Sequence, residues 1–301
     1  MNDEASKAQT EEASPVGPAS YLDAIERQIR LARIMEQPVV VTWWLLVANI
    51  VIWVGGLVFG WARIVETLGI TSSYLKFEQL TLYTGMKVDR LILQGQWWRL
   101  FSSQFVHLDF LHIIFNGYGL YVLGPILERF YGRKRFFTLY LASGTLASFA
   151  SFAINDVPSG GASGAIYGLV GGLLVFGWKY RDSLPDRLSR GFTVGLLPWV
   201  VLSLAIGFFE SVPMDNAAHL GGLFSGGAIA LFLHSRVRGA TQQSRDTAVW
   251  VATLLGVAAL IWTAAHWSDE ITHCTESKSN YERCYPELVQ PPDAKKLEVP
   301  D

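Results

Sequence analysis

The stretch VPSGGASGAIYGLVGGLLVFGW, residues 157–178, contains no charged side chain. It lies between Asp156 and Lys179, and its 22 residues match the length of roughly 17 to 25 mostly apolar residues that a helix needs to cross a bilayer. A backbone in lipid must satisfy its own N–H and C=O groups, and a continuous apolar run without the alternation of a barrel strand leaves only a helix. This stretch therefore predicts a transmembrane helix.

Six further stretches are almost free of charge in the same way. They are residues 37–62, 100–127, 136–155, 191–209, 216–235 and 247–268. Of the 24 basic and 26 acidic residues in the 301-residue chain, all seven stretches together hold only Asp109. This distribution excludes a soluble two-domain enzyme and predicts an all-α fold, a polytopic membrane helical bundle with seven spans. The net charge of −2, without a basic cluster outside the loops, gives no reason to invoke nucleic acid.

The short loops differ in their content of lysine and arginine. Residues 128–135, 179–190 and 235–246 contain four, four and three, whereas residues 155–162 and 210–216 contain none. Basic loops stay on the cytoplasmic side, so this asymmetry predicts a cytoplasmic N-terminus and an external C-terminus. Because the first apolar run follows a charged leader, we expect a retained span and not a cleaved signal peptide.

These patterns predict four parts along the chain. They are a cytoplasmic tail (1–37) with an amphipathic helix from Tyr21 to Gln37, a six-helix membrane core (38–235) with an external loop (61–104), a cytoplasmic loop and seventh transmembrane helix (236–268), and an external tail (269–301). The amphipathic helix is consistent with membrane or partner contact and with a merely solvated surface. In the external tail, Cys274 and Cys284 are consistent both with a disulfide and with two free thiols.

Polar side chains are concentrated in the second, fourth and sixth spans, which all enter the membrane from the external side. They are His107, Asp109, His112 and Asn116 in one helix, Ser163 in the next and His219 in the last. Polar groups inside a bilayer are costly and mark functional sites by default. We expect Ser163, His219, Asn116 and His112 to share a water-accessible cavity near the external face.

Small residues recur at four-residue intervals in the fourth and sixth spans. They are Gly164, Gly168 and Gly172 in the fourth, and Ala218, Gly222, Gly226 and Ala230 in the sixth. Such stripes let two helix backbones approach closely. If the stripes face each other, Ser163 and His219 lie at the same end of one seam, within reach of a hydrogen bond. Tyr167, one turn below Ser163, is then placed to stack on the imidazole.

A serine beside a neutral imidazole has the equipment for nucleophilic catalysis, since a base within roughly 2.6 to 3.2 Å can take the hydroxyl proton. Acyl transfer also needs donors aimed at the developing oxyanion, and the candidates are Asn116, His112 and the backbone around Gly161. Asp109, the only carboxylate in any span, lies on a different helix from His219. We therefore expect a Ser-His dyad and not a triad.

At these residues the sequence resembles the rhomboid family of intramembrane serine proteases. The matching segments are HLDFLHIIFN (107–116), GASGAIYG (161–168) and AHLGGLFSG (218–226), with Trp98-Arg99 and Glu128-Arg129. The resemblance implies a rhomboid-like six-helix core plus a C-terminal seventh transmembrane helix. It also implies an endopeptidase that cleaves transmembrane protein substrates in the bilayer and needs no cofactor or metal.

The resemblance further implies a role for each candidate residue. The nucleophile is Ser163, the general base is His219, the oxyanion hole is lined by Asn116, His112 and Gly161, and Tyr167 and His107 support the site. We expect an integral protein of the plasma (cell inner) membrane with the active site facing the external side. Its oligomeric state is open.

Two other functions are consistent with the residues alone. A membrane transporter or channel would use the same groups to bind a solute or relay protons, but it needs a path to both faces. A non-proteolytic binder of transmembrane clients would hold them in the same cavity. The absence of HExxH disfavours a zinc protease, and a single intramembrane aspartate disfavours an aspartyl protease.

Overall fold

The computed structural model describes residues 18–68, 85–209 and 214–238, together with position 258. The helices in this part are α1 (Pro18–Met35), α2 (Val41–Leu68), α3 (Asp89–Leu93), α4 (Arg99–Ser102), α5 (Phe110–Tyr131), α6 (Arg133–Ile154), α7 (Ser163–Lys179), α8 (Asp186–Phe192), α9 (Leu197–Ile206) and α10 (Asn216–Phe232). The predicted seventh span, apart from position 258, and the two cysteines lie outside the described residues.

Four stretches of the described chain are long and apolar enough to cross a membrane. They are Val41–Val58, Phe110–Tyr131, Arg133–Ile154 and Asp186–Ile206. Helices α7 and α10 have 17 residues each, at the lower end of the length that a spanning helix needs. The predicted polytopic helical bundle is confirmed, while the number of seven spans stays a prediction.

The start of the second span differs from the prediction. Helix α5 begins at Phe110, so His107 precedes the helix and the prediction that it shares one helix with His112 was wrong. The reason is that Asp109 is the N-cap of α5, where its side chain accepts a hydrogen bond from the N–H of His112 at 2.8 Å. The cap fixes the first helical residue at Phe110, and the segment before Asp109, which contains His107, is not part of the helix.

Two further boundaries differ from the sequence interpretation. Helix α2 continues to Leu68, so the first residues of the predicted external loop 61–104 are helical. The fifth span is a short helix, α8, and a second helix, α9, separated by residues 193–196. Glycine weakens a helix interior and proline suits a helix start, and Gly195 and Pro198 lie at this break.

The backbones of α7 and α10 touch each other along what we call the α7–α10 seam, formed by Gly164, Gly168 and Gly171 of α7 and Gly222 and Gly226 of α10. A Cβ atom on Gly222 would lie 2.0 Å from the carbonyl oxygen of Gly164, and one on Gly226 would lie 2.1 Å from that of Gly168. At Gly171, Gly222 and Gly226 only glycine permits this approach, because a Cβ there would overlap main-chain atoms of the partner helix. A Cβ on Gly164 or Gly168 would instead meet Ala147 or Ser143 of α6, while the carbonyls of these two glycines face α10.

Gly172 does not belong to this seam, although the four-residue spacing placed it there. A Cβ on Gly172 would point at Leu139 of α6, 2.9 Å away, whereas one on Gly171 would lie 2.0 Å from the carbonyl oxygen of Leu223 on α10. The reason is that α7 packs against both α6 and α10. The glycines of α7 therefore contribute to two helix interfaces. Four-residue spacing alone does not show to which of the two a given glycine belongs.

The chain divides into two compact units, residues 1–37 and residues 38–301. Helix α1 belongs to the first unit and covers most of the segment from Tyr21 to Gln37 that the sequence predicts to be helical. Its role at a membrane or partner surface stays a prediction.

In the second unit, Glu128 of α5 caps the N-terminus of α2. Its Oε1 accepts hydrogen bonds from the N–H groups of Val40 (2.8 Å) and Val41 (2.9 Å). Its Oε2 accepts from both the N–H and the hydroxyl of Thr42, each at 2.8 Å. The carboxylate is buried, so these four bonds join the first two membrane helices at one point.

We expect Glu128→Gln to lower the stability of the folded protein. Glutamine keeps one acceptor oxygen, but its amide nitrogen faces the N–H of Thr42, and a buried donor without a partner costs about 1 to 3 kcal/mol. The measurement is the thermal unfolding midpoint in detergent. The exposed Glu36 provides the control, since Glu36→Gln should leave the midpoint unchanged. Equal midpoints for the two variants would contradict the capping role.

Candidate active site

Ser163 and His219 lie at the N-terminal ends of α7 and α10, where the seam brings the two helices together. Ser163 is the first residue of α7, and His219 lies in the first turn of α10. The Oγ atom of Ser163 is 2.9 Å from Nε2 of His219, and the imidazole is 97% buried, with 3% exposed. When Nε2 is unprotonated, the hydroxyl donates this hydrogen bond, which is the geometry of a nucleophile and its base.

Tyr167 fixes the orientation of the His219 ring. The two rings stack with centroids 4.3 Å apart and an interplanar angle of 13°. The Tyr167 hydroxyl in turn donates to Oγ of Ser203 on α9 at 2.6 Å, and the ring of Trp199 lies 5.6 Å from that of Tyr167. Sequence reasoning missed Ser203 and Trp199, because a serine and a tryptophan in an apolar span have no pattern that separates them from packing residues.

Gly161 forms the turn into α7 and packs directly against the side chains of His112 and Asn116. Its φ is +130°, a conformation that favours glycine. A Cβ at this position would lie 2.5 Å from Nε2 of His112 and 3.3 Å from Nδ2 of Asn116. The absence of a side chain therefore permits the close approach of these two polar groups of α5, which a methyl group would displace. The N–H of Gly161 donates to the carbonyl of Ser103 at 2.9 Å, so this amide is already engaged.

His112 and Asn116 present donors to the space beside Gly161. The N–H of Leu108 approaches Nδ1 of His112 at 3.5 Å, which makes Nδ1 the acceptor and places the proton of a neutral ring on Nε2. Nδ2 of Asn116 is buried and has no hydrogen-bond partner among the described residues. Buried donors without a partner are rare in folded proteins and call for a functional explanation.

His107 supports the loop that carries Gly161. It is buried in the segment before α5, and its Nε2 accepts a hydrogen bond from the N–H of Ala162 at 3.4 Å. Its ring meets that of His112 edge-on, with centroids 5.2 Å apart. The structure therefore brings His107 against the site without contact to Ser163 or His219 in the described hydrogen bonds.

A cavity of about 380 Å³ lies between α2 and α5. Its lining includes Asn116, His107 and Ala162 together with apolar residues of both helices, but neither Ser163 nor His219. The expectation of one cavity shared by all four polar groups is therefore not met by this cavity, because it opens on the α2 side of α5 and the dyad lies on the α10 side of α7.

A carboxylate lies closer to His219 than the sequence interpretation allowed. Asp215 is the N-cap of α10, and its backbone carbonyl accepts the N–H of His219 at 3.0 Å. Its Oδ1 accepts from the N–H of Ala218 (3.0 Å) and from Nδ2 of Asn155 (3.2 Å). The other carboxylate oxygen accepts from the hydroxyl of Ser151. Burial by itself raises the pKa of Asp215, but these hydrogen bonds lower it below its ordinary value.

Nδ1 of His219 has no hydrogen-bond partner in the part of the chain that the structure describes. The carboxylate of Asp215 is directed to the side chains of Ser151, Ser159 and Asn155 and to the N–H of Ala218, so the described contacts form a Ser-His pair without a hydrogen-bonded third member. In the same residues, no group of three or more His, Cys, Asp or Glu side chains is arranged to hold a metal ion.

Comparison with known proteins gives a family match over the region that contains these residues. The rhomboid domain model matches residues 94–236. The rhomboid protease GluP of Bacillus subtilis is 39% identical over 142 residues, which cover 47% of this chain and 27% of GluP. YdcA of Bacillus subtilis is 33% identical over 144 residues, covering 47% of this chain and 69% of YdcA. The rhomboid protease GlpG of Haemophilus influenzae is 30% identical over 144 residues, covering 47% of this chain and 71% of GlpG.

The matched region runs from Gln94, before α4, to Arg236, just past the end of α10, and contains Ser163, His219 and the residues described around them. More than two thirds of YdcA and of GlpG align with it at 30% identity or more, whereas the alignment covers about a quarter of GluP. The resemblance seen in the sequence is confirmed: the chain belongs to the rhomboid family of polytopic helical membrane proteins.

Proposed function

We propose that the chain is an intramembrane serine endopeptidase that cleaves peptide bonds in or near transmembrane segments of membrane proteins. The observation that carries the proposal is the 2.9 Å contact between Oγ of Ser163 and Nε2 of the buried, stacked His219. The names of the curated relatives GluP and GlpG, both rhomboid proteases, support it.

In the proposed mechanism, Oγ of Ser163 attacks the scissile carbonyl carbon while Nε2 of His219 takes the hydroxyl proton. The resulting imidazolium gives that proton to the leaving amine when the C–N bond breaks, which leaves an acyl-enzyme ester. Water, deprotonated by His219, then attacks the ester, and the proton returns to Ser163. Tyr167 keeps the ring in the plane that both transfers need.

The developing oxyanion is stabilised by donors around Gly161. Nε2–H of His112 and Nδ2 of Asn116 face the space that a side chain at position 161 would fill. The N–H of Ser163, at the free end of α7, adds a main-chain donor at the positive end of the helix dipole.

We propose that the substrate is a single-span membrane protein, cut near the external end of its helix where helix-weakening residues let the strand unwind. Ser163 and His219 lie at the N-terminal ends of α7 and α10, and the distribution of basic residues in the loops predicts that these ends are on the external side. The same charges favour a cytoplasmic N-terminus, and we place the protein in the plasma membrane.

The test is cleavage of a reconstituted single-span substrate, combined with labelling by a serine-directed fluorophosphonate. We expect both cleavage and a label that peptide mapping assigns to Ser163. Ser225→Ala, two turns deeper in α10, is the control and should keep the label. Substrate binding without cleavage or label would instead indicate a binder of transmembrane clients, and solute flux through the liposomes would indicate a transporter.

A further inference from the structure

Lys87, in the predicted external loop, is a fully buried cation that fixes the segment between α6 and α7. Its Nζ forms an ion pair with Asp89 at 2.8 Å and donates to the carbonyls of Asn155 (2.9 Å) and Val157 (3.1 Å). Its backbone pairs with that of Ser159 through two hydrogen bonds of 2.8 and 3.0 Å. One residue thus fixes both the C-terminal end of α6 and the segment that leads to the nucleophile.

Asn155 connects this cation to the helix of the base. Its Nδ2 donates to Oδ1 of Asp215 at 3.2 Å, and its Oδ1 accepts the N–H of Val157 at 3.2 Å. Asp215 caps α10 through the N–H of Ala218. The C-terminal end of α6 and the N-terminal end of α10 are therefore joined by side-chain hydrogen bonds as well as by packing.

We call Lys87, Asn155, Ser159 and Asp215 the cluster. Two of its members, Ser159 and Asp215, each lie four residues before a residue of the dyad. Ser159, paired with Lys87, precedes Ser163 by four residues, and the segment between them contains the engaged amide of Gly161. Asp215 precedes His219 by four residues and accepts its N–H. A displacement of the cluster would thus move the two helix ends relative to each other, without any contact between the cluster and the reacting atoms.

We propose that Asn155 and Asp215, held by Lys87, are positioning residues that set the distance between Ser163 and His219. This inference rests on the proposed protease function. None of the three residues lies in the segments HLDFLHIIFN, GASGAIYG and AHLGGLFSG, although Asn155 and Asp215 lie within the matched region 94–236. Catalysis depends steeply on such geometry, because a misplacement of about 1 Å can cost a rate factor of about 10².

The test compares Asp215→Ala with Asp215→Asn in the full chain, reconstituted with a single-span substrate. Alanine removes every bond of the side chain, and we expect kcat to fall about tenfold or more while KM stays within about twofold. Asparagine still accepts from Ala218 and Asn155 and can donate to the hydroxyl of Ser151, so it should restore most of kcat. The fluorophosphonate labelling rate reports the dyad without substrate binding and should follow kcat.

A matched control is the exposed Asp186 in the first turn of α8, where the same two substitutions should leave kcat and the labelling rate unchanged. Lys87→Met combined with Asp215→Ala should lower kcat less than the product of the single effects, because both act through one cluster. If Asp215→Ala does not fold, Asn155→Ala makes the same comparison with the α10 cap intact.

Failure of the positioning role and failure of the proposed protease function would give different results. A folded Asp215→Ala or Asn155→Ala protein with a lower thermal midpoint but wild-type kcat and labelling rate would show that the cluster only stabilises the fold, and would overturn the positioning role alone. A wild-type protein that neither cleaves nor labels at Ser163 would overturn the proposed function, and the positioning role with it.

Discussion

We expect Ser163→Ala and His219→Ala each to lower the rate of cleavage about 10³-fold or more, and the double variant to be no less active than either single variant. The two side chains act as a unit, since the hydroxyl is a poor nucleophile without the imidazole 2.9 Å away and the imidazole has no proton to take without the hydroxyl. In serine proteases such losses are about 10³-fold or more and are not additive. A residual rate is expected from the oxyanion donors alone.

The measurement is the initial rate of cleavage in liposomes for the wild type, both single variants and the double variant. Asn116→Ala provides a graded comparison, because the loss of one oxyanion donor costs about 10²-fold. Multiplicative effects of the two dyad substitutions would show that Ser163 and His219 act independently. Cleavage that survives Ser163→Ala would remove the nucleophile assignment.

We expect Gly226→Ala to prevent stable packing of α10 and Gly227→Ala to be tolerated. A methyl group on Gly226 would lie 2.1 Å from the carbonyl oxygen and 2.5 Å from the Cα of Gly168, and main-chain atoms cannot move aside as a side chain can. On Gly227 the nearest atom is a methyl group of Val175 at 3.5 Å, an ordinary contact. Overpacking costs about 3 kcal/mol or more in such a site, while alanine gains up to about 1 kcal/mol of helix propensity over glycine.

Thermal midpoints of the two variants in detergent, together with the fluorophosphonate labelling rate, measure this difference. We expect Gly226→Ala to be destabilised and to lose labelling, because the displaced helix carries His219. Gly227→Ala should match the wild type in both. Similar midpoints would mean that the two backbones are not in contact at Gly226.

The membrane helices and the principal site residues were predictable because both depend on local pattern. Charge-free runs indicate spans, and glycines at four-residue intervals indicate where two helices meet, so the contact between Ser163 and His219 followed from spacing. The spacing does not show which neighbouring helix a glycine faces: Cβ atoms on Gly164, Gly168 and Gly172 would all point at α6, and only the carbonyls of Gly164 and Gly168 also contact α10.

What the sequence did not predict depends on partners far along the chain. Lys87 lies 68 residues from Asn155, which lies 60 from Asp215, and nothing in the local sequence of any of them indicates the others. Asp215 carried one local signal, an acidic residue just before an apolar helix, which is typical of an N-cap. His107 was misplaced because the N-cap at Asp109 begins the helix inside an apolar run, after His107.

The α7–α10 seam also determines which parts of this protein can change during evolution. Main-chain atoms have no rotamers with which to absorb a substitution at Gly222 or Gly226, so this interface can neither drift nor be retuned step by step. The lipid-facing surfaces of α5 and α9 have no such restriction. Substitutions on those surfaces can therefore accumulate while the distance between Ser163 and His219 is inherited unchanged.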